Sequence, residues 1–349
     1  MRVETGIPMG DWRAVAAAAQ RAEAQGFDGI TMPEISNDPF IPLAFAALAT
    51  QRIHLGTAIA VAFPRSPMVV ANTAWDLHTN SHGRFVLGLG PQVKGHNERR
   101  FSVPWSPPVP RLREYVEALR AIWRCWELRE PLHYEGEHYR FTLMTPEFSP
   151  PASGLPPIPV TIAAVGEKML RLAGRVCDGV RLHGFCTRRY LEEVALPRVF
   201  EGLERSGRDR KHFEVWGGGF IATGHDADEV ARQMEWCRYR IAFYGSTRSY
   251  QPVLTLHGWD DLAARLHEMS KRGQWNEMAK QVPDDVLHAF VAAAPYRELK
   301  GAVEQRFGGL VDSIALGLAG AVPDGVAREV VQDLRSIPRT FEGFPQSWS

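Results

Sequence analysis

Short apolar runs of strand length alternate with amphipathic stretches of helical period along most of the chain. No other feature limits the fold as much. Segments 3–7, 29–32, 53–59 and 85–89 are nearly all apolar, and a helical pattern follows each. A strand that is apolar on both sides must be covered on both sides, the condition of parallel strands joined by crossover helices. Asp11 is placed to cap a helix from Trp12 to Gln25, which Gly26 ends. A second helix reads over 42–50. Pro67 can open the helix after the third strand, because the first helical turn needs no N–H there.

The period then breaks. Segment 91–110 is polar and proline-rich, and 112–128 reads as an amphipathic helix with Leu119, Ile122, Trp123 and Trp126 at helical spacing. Segment 133–141 alternates aromatic and polar residues around Glu135-Gly136-Glu137, a small hairpin. The prolines of 146–159 exclude helix and central strand. Alternation resumes with strand 160–164, helix 168–176, strand 179–182, helix 190–206, strand 213–222 and helix 226–243. A mostly helical stretch, 245–309, precedes an eighth strand at 313–316 and its helix at 322–334. Eight such units predict an α/β fold closed into a (β/α)8 TIM barrel, with insertions after strand 4 and before strand 8. The chain, 1–349, is read as one domain with insertions at about 91–158 and 245–309.

Composition excludes several functions. Lys+Arg and Asp+Glu both total 40, so there is no global basic field for nucleic acid or an anionic membrane. The four cysteines lie far apart, without the paired spacing of a zinc ribbon or redox motif, and read as reduced thiols. The polar start lacks the apolar core of a signal peptide, and no apolar run is long enough to span a membrane, so a cytoplasmic location is expected.

In barrels of this kind chemistry sits at the carboxyl ends of the strands. The candidates are therefore Pro33 and Glu34 after the second strand, Ala58, Ile59 and Phe63 after the third, and Gly88, Gly90, Gln92, His96 and Asn97 around the end of the fourth. Val165, Gly166, Glu167 and Lys168 follow the fifth strand, and His183 the sixth. Gly166 opens a helix where free N–H groups favour a phosphate, although a glycine there also serves a tight turn. Gly88-Leu89-Gly90 lacks the third glycine and the later acid of a dinucleotide fingerprint. Glu34 is the best-placed acid or base, or else the partner of an arginine. His183 reads either as a site residue or as a structural hydrogen-bonding histidine. No metal site is expected: the first strand carries no paired histidines, and His78 and His82 lack the glutamate of a zinc-protease motif. No Gly-x-Ser-x-Gly nucleophile motif occurs.

Several stretches, in order and at barrel spacing, carry a resemblance. They include Arg52-Ile53-His54-Leu55-Gly56-Thr57-Ala58-Ile59, Pro64-Arg65-Ser66-Pro67, Ser81-His82-Gly83-Arg84-Phe85 and Leu87-Gly88-Leu89-Gly90-Pro91-Gln92. Arg113-Glu114-Tyr115-Val116-Glu117-Ala118-Leu119, Glu135-Gly136-Glu137-His138-Tyr139, Ala163-Ala164-Val165-Gly166 and Cys177-Asp178-Gly179-Val180 continue the series, with Ala242-Phe243-Tyr244-Gly245-Ser246-Thr247 and His257-Gly258-Trp259 later. The chain resembles the bacterial luciferase-like monooxygenase superfamily, in its branch of actinobacterial oxidoreductases that use coenzyme F420, a 5-deazaflavin.

The resemblance implies a flavin-type ring set against a bulge at Ala58-Ile59 that contains a non-prolyl cis peptide. It places Gly88, Gly90 and Gln92 along the ring, and Asn97 against the ring or its polyol chain. It brings Ala164, Val165, Gly166, Glu167 and Lys168 to the polyol and phosphate. The implied activity is hydride transfer between F420 and an organic substrate, with an FMN-dependent two-component monooxygenase fed by a separate reductase, or a flavin-binding protein without catalysis, as alternatives. A homodimer is also implied, through helices bearing Val69, Val70, Trp75 and Leu77. The aromatic residues of the insertions suggest a bulky apolar substrate lodged among Phe63, Trp105, Tyr244 and Trp259. Two departures stand out: relatives with a known acid/base pair often carry Asp-His where this chain has Pro33-Glu34, and their glutamate after the fourth strand has no counterpart among Gln92, Val93 and Lys94. His183 is therefore expected to donate the proton at its ordinary pKa, with Glu34 orienting it or the substrate.

Overall fold

The short apolar runs become eight parallel strands: Arg2–Thr5, Gly29–Met32, His54–Thr57, Phe85–Gly90, Val160–Ala164, Gly179–Leu182, Glu214–Gly217 and Ser313–Ala315. The computed structural model describes residues 1–318 and 320–348. Each strand pairs with the next, Leu55 opposite Phe85 and Leu87 opposite Val160 for example, and Arg2 opposite Ser313 closes the ring. The result is a TIM barrel wrapped in helices. Asp11 accepts the N–H of Arg13 to cap the helix Trp12–Ala24, and Ser66 with Pro67 opens Pro67–Asn80. No helix among the described residues is long and apolar enough to cross a membrane. The four cysteines are free and buried.

Two elements differ from the sequence expectation. The seventh strand does not run unbroken over 213–222. It stops at Gly217, and Gly217 and Gly218 turn the chain out of the barrel at φ of 80° and 109°, a region open to glycine. Phe220–Gly224 then pairs in parallel with Val291–Pro295, a strand inside the stretch expected to be mostly helical. Arg306 fastens the turn by donating to the carbonyls of Gly218 and Cys186. The helix expected over 190–206 begins at Arg188–Tyr190, widens into a π-turn at Leu191–Ala195 and becomes regular only at Leu196–Ser206. Pro197 has no N–H to give the preceding turn, which accounts for the irregularity.

The barrel interior is not purely apolar. Arg2 pairs with Glu214 at 2.6 Å, and Ser313 donates to the same carboxylate. One layer nearer the mouth, Arg181 lies 3.3 Å from Glu4, which also accepts the Trp216 indole N–H at 2.6 Å. The Arg181 Nε donates to Thr161 at 3.1 Å. Room for these side chains comes from facing strands: a Cβ on Gly29 would meet the Glu4 carboxyl at 3.1–3.3 Å, and one on Gly88 would lie 3.1 Å from the Arg181 Nε. Burial lifts the Glu4 carboxyl above its ordinary range, against the pull of Arg181. Burial acts on Glu214 in the same direction, but Arg2 and Arg181 outweigh it and hold that carboxyl low.

Residues 341–344 cover the opposite end, where Phe341 and Phe344 pack with Val86 and Asp312 accepts the N–H groups of Thr340 and Phe341. Replacing Glu214 by Ala would leave Arg2 charged, buried and unpaired. We expect a loss of about 3–5 kcal/mol in unfolding free energy, measured by urea denaturation. A change under about 1 kcal/mol would mean that water or another group takes the place of the carboxylate.

Candidate functional site

At the carboxyl ends of the strands the barrel opens into a cavity of about 970 Å³. Its walls come from separate parts of the chain. The third strand ends in the cis peptide Ala58–Ile59, as expected. The chain is anchored on both sides of it, with the Ala58 N–H bonded to the Met32 carbonyl and the Ile59 carbonyl accepting from Glu34 N–H. Gly90 closes on this bulge: a Cβ there would stand 2.6 Å from the Ile59 side chain. Gln92 sits in the left-handed region at φ 56°, its side-chain carbonyl bonded to the Val93 N–H.

Across the mouth, Gly166 starts the helix Glu167–Val176, and no side chain caps it. The first N–H groups of a helix lack intrahelical partners and carry the positive end of its dipole. A Cβ on Gly166 would meet nothing within 4 Å, so the approach is open. Lys168 and Arg171 stand on the same wall, Arg171 sharing its charge with Glu167 and Glu201. Arg181 and Trp216 form part of the lining at the barrel end, the guanidinium 5.1 Å from the indole ring. A mostly apolar cavity with Lys168 and an uncapped helix start on one wall suits a planar ring system with a phosphorylated tail, so these residues fit a flavin or deazaflavin. Ala58, Ile59, Gly90 and Gln92 would lie along the ring, with Ala164, Val165, Gly166, Glu167 and Lys168 at the tail.

Other expected site residues lie elsewhere. Gly88 is below the cavity: a Cβ there would fall 1.9 Å from the Thr57 carbonyl oxygen, and the Thr57 hydroxyl bonds the Gly88 backbone on both its N–H and its C=O. Asn97 is fully buried and braces the loop after the fourth strand by donating to the carbonyls of Pro91 and Val93. Glu34 does not reach the cavity wall. Its carboxylate accepts from Val61 N–H and pairs with Arg65, both at 2.7 Å, and Arg65 also holds Asp38 at 3.0 Å. Phe63 is buried under the guanidinium of Arg111, 4.4 Å from the ring centre. Trp259 stacks on His257 at 4.2 Å, Trp105 is half-buried, and neither lines the cavity. Tyr244 stands behind His183, 4.3 Å away and edge-on, its hydroxyl bonded by Arg240.

His183 does line the cavity, but its state differs from the expectation. The Phe185 N–H donates to Nδ1 at 2.9 Å, which puts the proton of the neutral ring on Nε2. Burial, with the nearby Arg240 charge, lowers its pKa to about 4. The imidazole is therefore neutral at physiological pH and cannot serve as the cationic acid anticipated from its ordinary pKa.

Tyr250 and Ser249, on the second excursion, also line the cavity, as do Pro108 and Val109 from the first. Sequence reasoning missed Arg181, Trp216 and Tyr250. A charged residue inside the otherwise apolar run Gly179-Val180-Arg181-Leu182 was the available signal for the first. Among the described residues, one group has metal-ligand proximity, Glu114, Glu137 and His138, away from the cavity. Its core is structural, because the buried Glu114 carboxylate accepts the His138 N–H at 2.7 Å and packs against Gly136.

Comparisons with known proteins agree with this geometry. The family described as luciferase-like monooxygenase matches residues 2–313. An uncharacterized protein of Mycobacterium tuberculosis is 47% identical over 320 residues, 92% of this chain and 94% of the relative. The 5,10-methylenetetrahydromethanopterin reductase of Archaeoglobus fulgidus is 29% identical over 276 residues, 77% of this chain and 78% of its own. Among solved structures, the coenzyme F420-dependent tetrahydromethanopterin reductase of Methanopyrus kandleri shares the fold with a TM-score of 0.77 at 22% identity, covering 96% of this chain and 98% of that one.

For His183, nitrogen-detected NMR should find a pyridine-type Nδ1 and a protonated Nε2 throughout pH 6–8, with titration only near pH 4. A midpoint near 6.5 would show that the ring is solvated and free to act as an acid.

Proposed function

Because the chain belongs to the luciferase-like monooxygenase family, we propose that it is an oxidoreductase that moves a hydride between coenzyme F420 and an organic substrate held in the mouth of the barrel. The observation that carries this reading is one cavity that unites the Ala58–Ile59 bulge, the Gly90–Gln92 loop and the uncapped helix start at Gly166. The names of homologues support F420 as the partner. When bound, the deazaflavin supplies a carbon that gives or takes a hydride, while the protein supplies position and dryness. Ile59 and Gly90 shape the ring shelf, and Lys168 with the free helix N–H groups neutralises the tail. The apolar part of the lining, Ile59, Val109, Met169 and Trp216 among it, suits an apolar substrate of some bulk. No step in this reading needs nucleic acid or a membrane, and the buried free thiols suit the cytoplasm.

The same reading includes a homodimer, through a face that keeps Val69 of the anticipated residues and extends to the two preceding helices. Val70, Trp75 and Leu77 are core residues. Val69 is exposed as anticipated, and Trp12, Ile41, Phe45 and Leu48 are exposed on the two preceding helices, with the Trp12 and Phe45 rings 6.0 Å apart. A contiguous apolar patch of this kind is costly in water and fits a second copy. Light scattering of the purified protein should give twice the chain mass, and Leu48→Glu should halve it. A monomeric wild type would exclude the dimer.

Titration of the protein with oxidised F420 and with FMN, followed by fluorescence, tests the cofactor. We expect saturable F420 binding at least about tenfold tighter than FMN, and a further loss of about tenfold in Lys168→Ala, the scale of one charge-assisted contact. Tighter FMN binding would favour the monooxygenase alternative, and binding of neither would sink the reading.

A further inference from the structure

One wall of the cavity carries two hydrogen-bond donors that the described residues leave uncommitted. His183 has its Nδ1 occupied by the Phe185 N–H, and its Nε2 proton has no acceptor among the described residues. The Tyr250 hydroxyl likewise bonds to no described residue. The two rings lie 4.6 Å apart with 35° between their planes, and the edge of Tyr244 braces the histidine from behind at 4.3 Å. Arg240 fixes that brace, bonding the Tyr244 hydroxyl and lying 4.9 Å over its ring.

Both donors are neutral across the physiological range. Burial, with the Arg240 charge, keeps the imidazole unprotonated until about pH 4. Burial, with Tyr244 beside it, pushes the Tyr250 hydroxyl up to about 12. Neither is a base at neutral pH. Nor, among the described residues, does an unpaired cation line this wall: Arg240 lies behind Tyr244, outside the lining, and Arg181 below is paired with Glu4. Two neutral donors on neighbouring rings match one neutral oxygen with two lone pairs.

We propose that Tyr250 is a catalytic proton donor and His183 its companion in holding the oxygen of a carbonyl substrate. The hydride source rests on the function proposed above and is a reduced deazaflavin. The carbonyl carbon takes the hydride, the π electrons of C=O move to oxygen, and that oxygen takes the Tyr250 proton. The alcohol leaves, the deazaflavin is oxidised by two electrons and gives up its ring N–H proton to solvent, and the tyrosinate takes one proton back from solvent. The transfer runs downhill because an alkoxide is a stronger base than a phenolate. His183 keeps its Nε2 proton throughout and lends a hydrogen bond that strengthens as charge builds on oxygen.

Acetophenone is a suitable probe, and the infrared stretch of its bound carbonyl reports donor contact with no turnover. It is measured with and without oxidised F420, so the answer does not depend on the cofactor. In wild type the stretch should fall saturably below its value in apolar solvent. Tyr250→Phe, which keeps the ring, should lose a large part of that lowering, whereas Tyr134→Phe should keep it, since that hydroxyl bonds to Glu117 and Tyr134 does not line the cavity. With reduced F420, Tyr250→Phe should turn over at about a hundredth of the wild-type rate or less while F420 affinity is unchanged. An unshifted carbonyl in wild type, or an equal shift in Tyr250→Phe, overturns the proposal. A Tyr250-dependent shift in a protein that binds no F420 would support the carbonyl site while refuting the hydride source.

Discussion

Two acids and two arginines share the inside of the barrel, and the geometry of the mouth depends on how they are paired. Charges taken out of water return their desolvation cost only when partners and hydrogen bonds are well placed. Here the lower pair, Arg2 and Glu214, ties the first strand to the seventh, and Ser313 on the eighth adds a hydrogen bond. The upper pair, Glu4 and Arg181, spans the first and sixth strands, and Trp216 and Thr161 complete its bonding. Hydrophobic filling alone would tolerate small rearrangements of shape. A paired charge does not, because loss of one contact strands the other group. Arg181 and Trp216 also line the cavity, so the same contacts that hold the core set the inner end of the site.

That arrangement explains which glycines the barrel needs. Gly29 and Gly88 face these long polar side chains, where a Cβ would intrude. In the sequence Gly88 looks like part of a ring-binding loop. In space it makes room for Arg181 and closes the third strand on the fourth through Thr57. A conspicuous motif and a binding contact need not coincide. Glu135-Gly136-Glu137-His138 gives the same lesson, since its hairpin is held by the buried carboxylate of Glu114.

The barrel was largely legible because its signal is local. Strands Gly29–Met32, Val160–Ala164 and Gly179–Leu182 fall where the apolar runs place them. The cavity positions at Ala58, Ile59, Gly90, Gln92 and 164–168 were legible through the strand-end rule and the resemblance. Where the reading failed, a distant partner decided the outcome. The run 213–222 looks like one strand until Gly217 and Gly218 bend it toward Val291–Pro295, far along the chain. His183 looks like an ordinary titrating histidine until Phe185 takes its Nδ1 and Tyr244 and Tyr250 close over it. Burial and tautomer are properties of the assembled wall, and no window of sequence contains them.

The division of labour across the mouth follows from what each side has left to offer. On the side of the second and fourth strands these side chains bond to the shelf itself: Glu34 to Val61 N–H and Arg65, the Gln92 carbonyl to Val93 N–H, and the Asn97 amide nitrogen to two carbonyls. The Glu34 carboxylate is turned to Arg65 and the Val61 amide rather than to the cavity. The opposite side, at the sixth strand and the second excursion, keeps donors that no described residue uses. In the proposed reaction proton delivery is displaced from the strand ends to Tyr250, on a segment carried by the excursion rather than the barrel. Loops that hang from a rigid barrel can be exchanged without disturbing its core, so under the proposed function the excursion can set which substrate oxygen is met, and with what acid, while the shelf and the charge-filled interior are left intact.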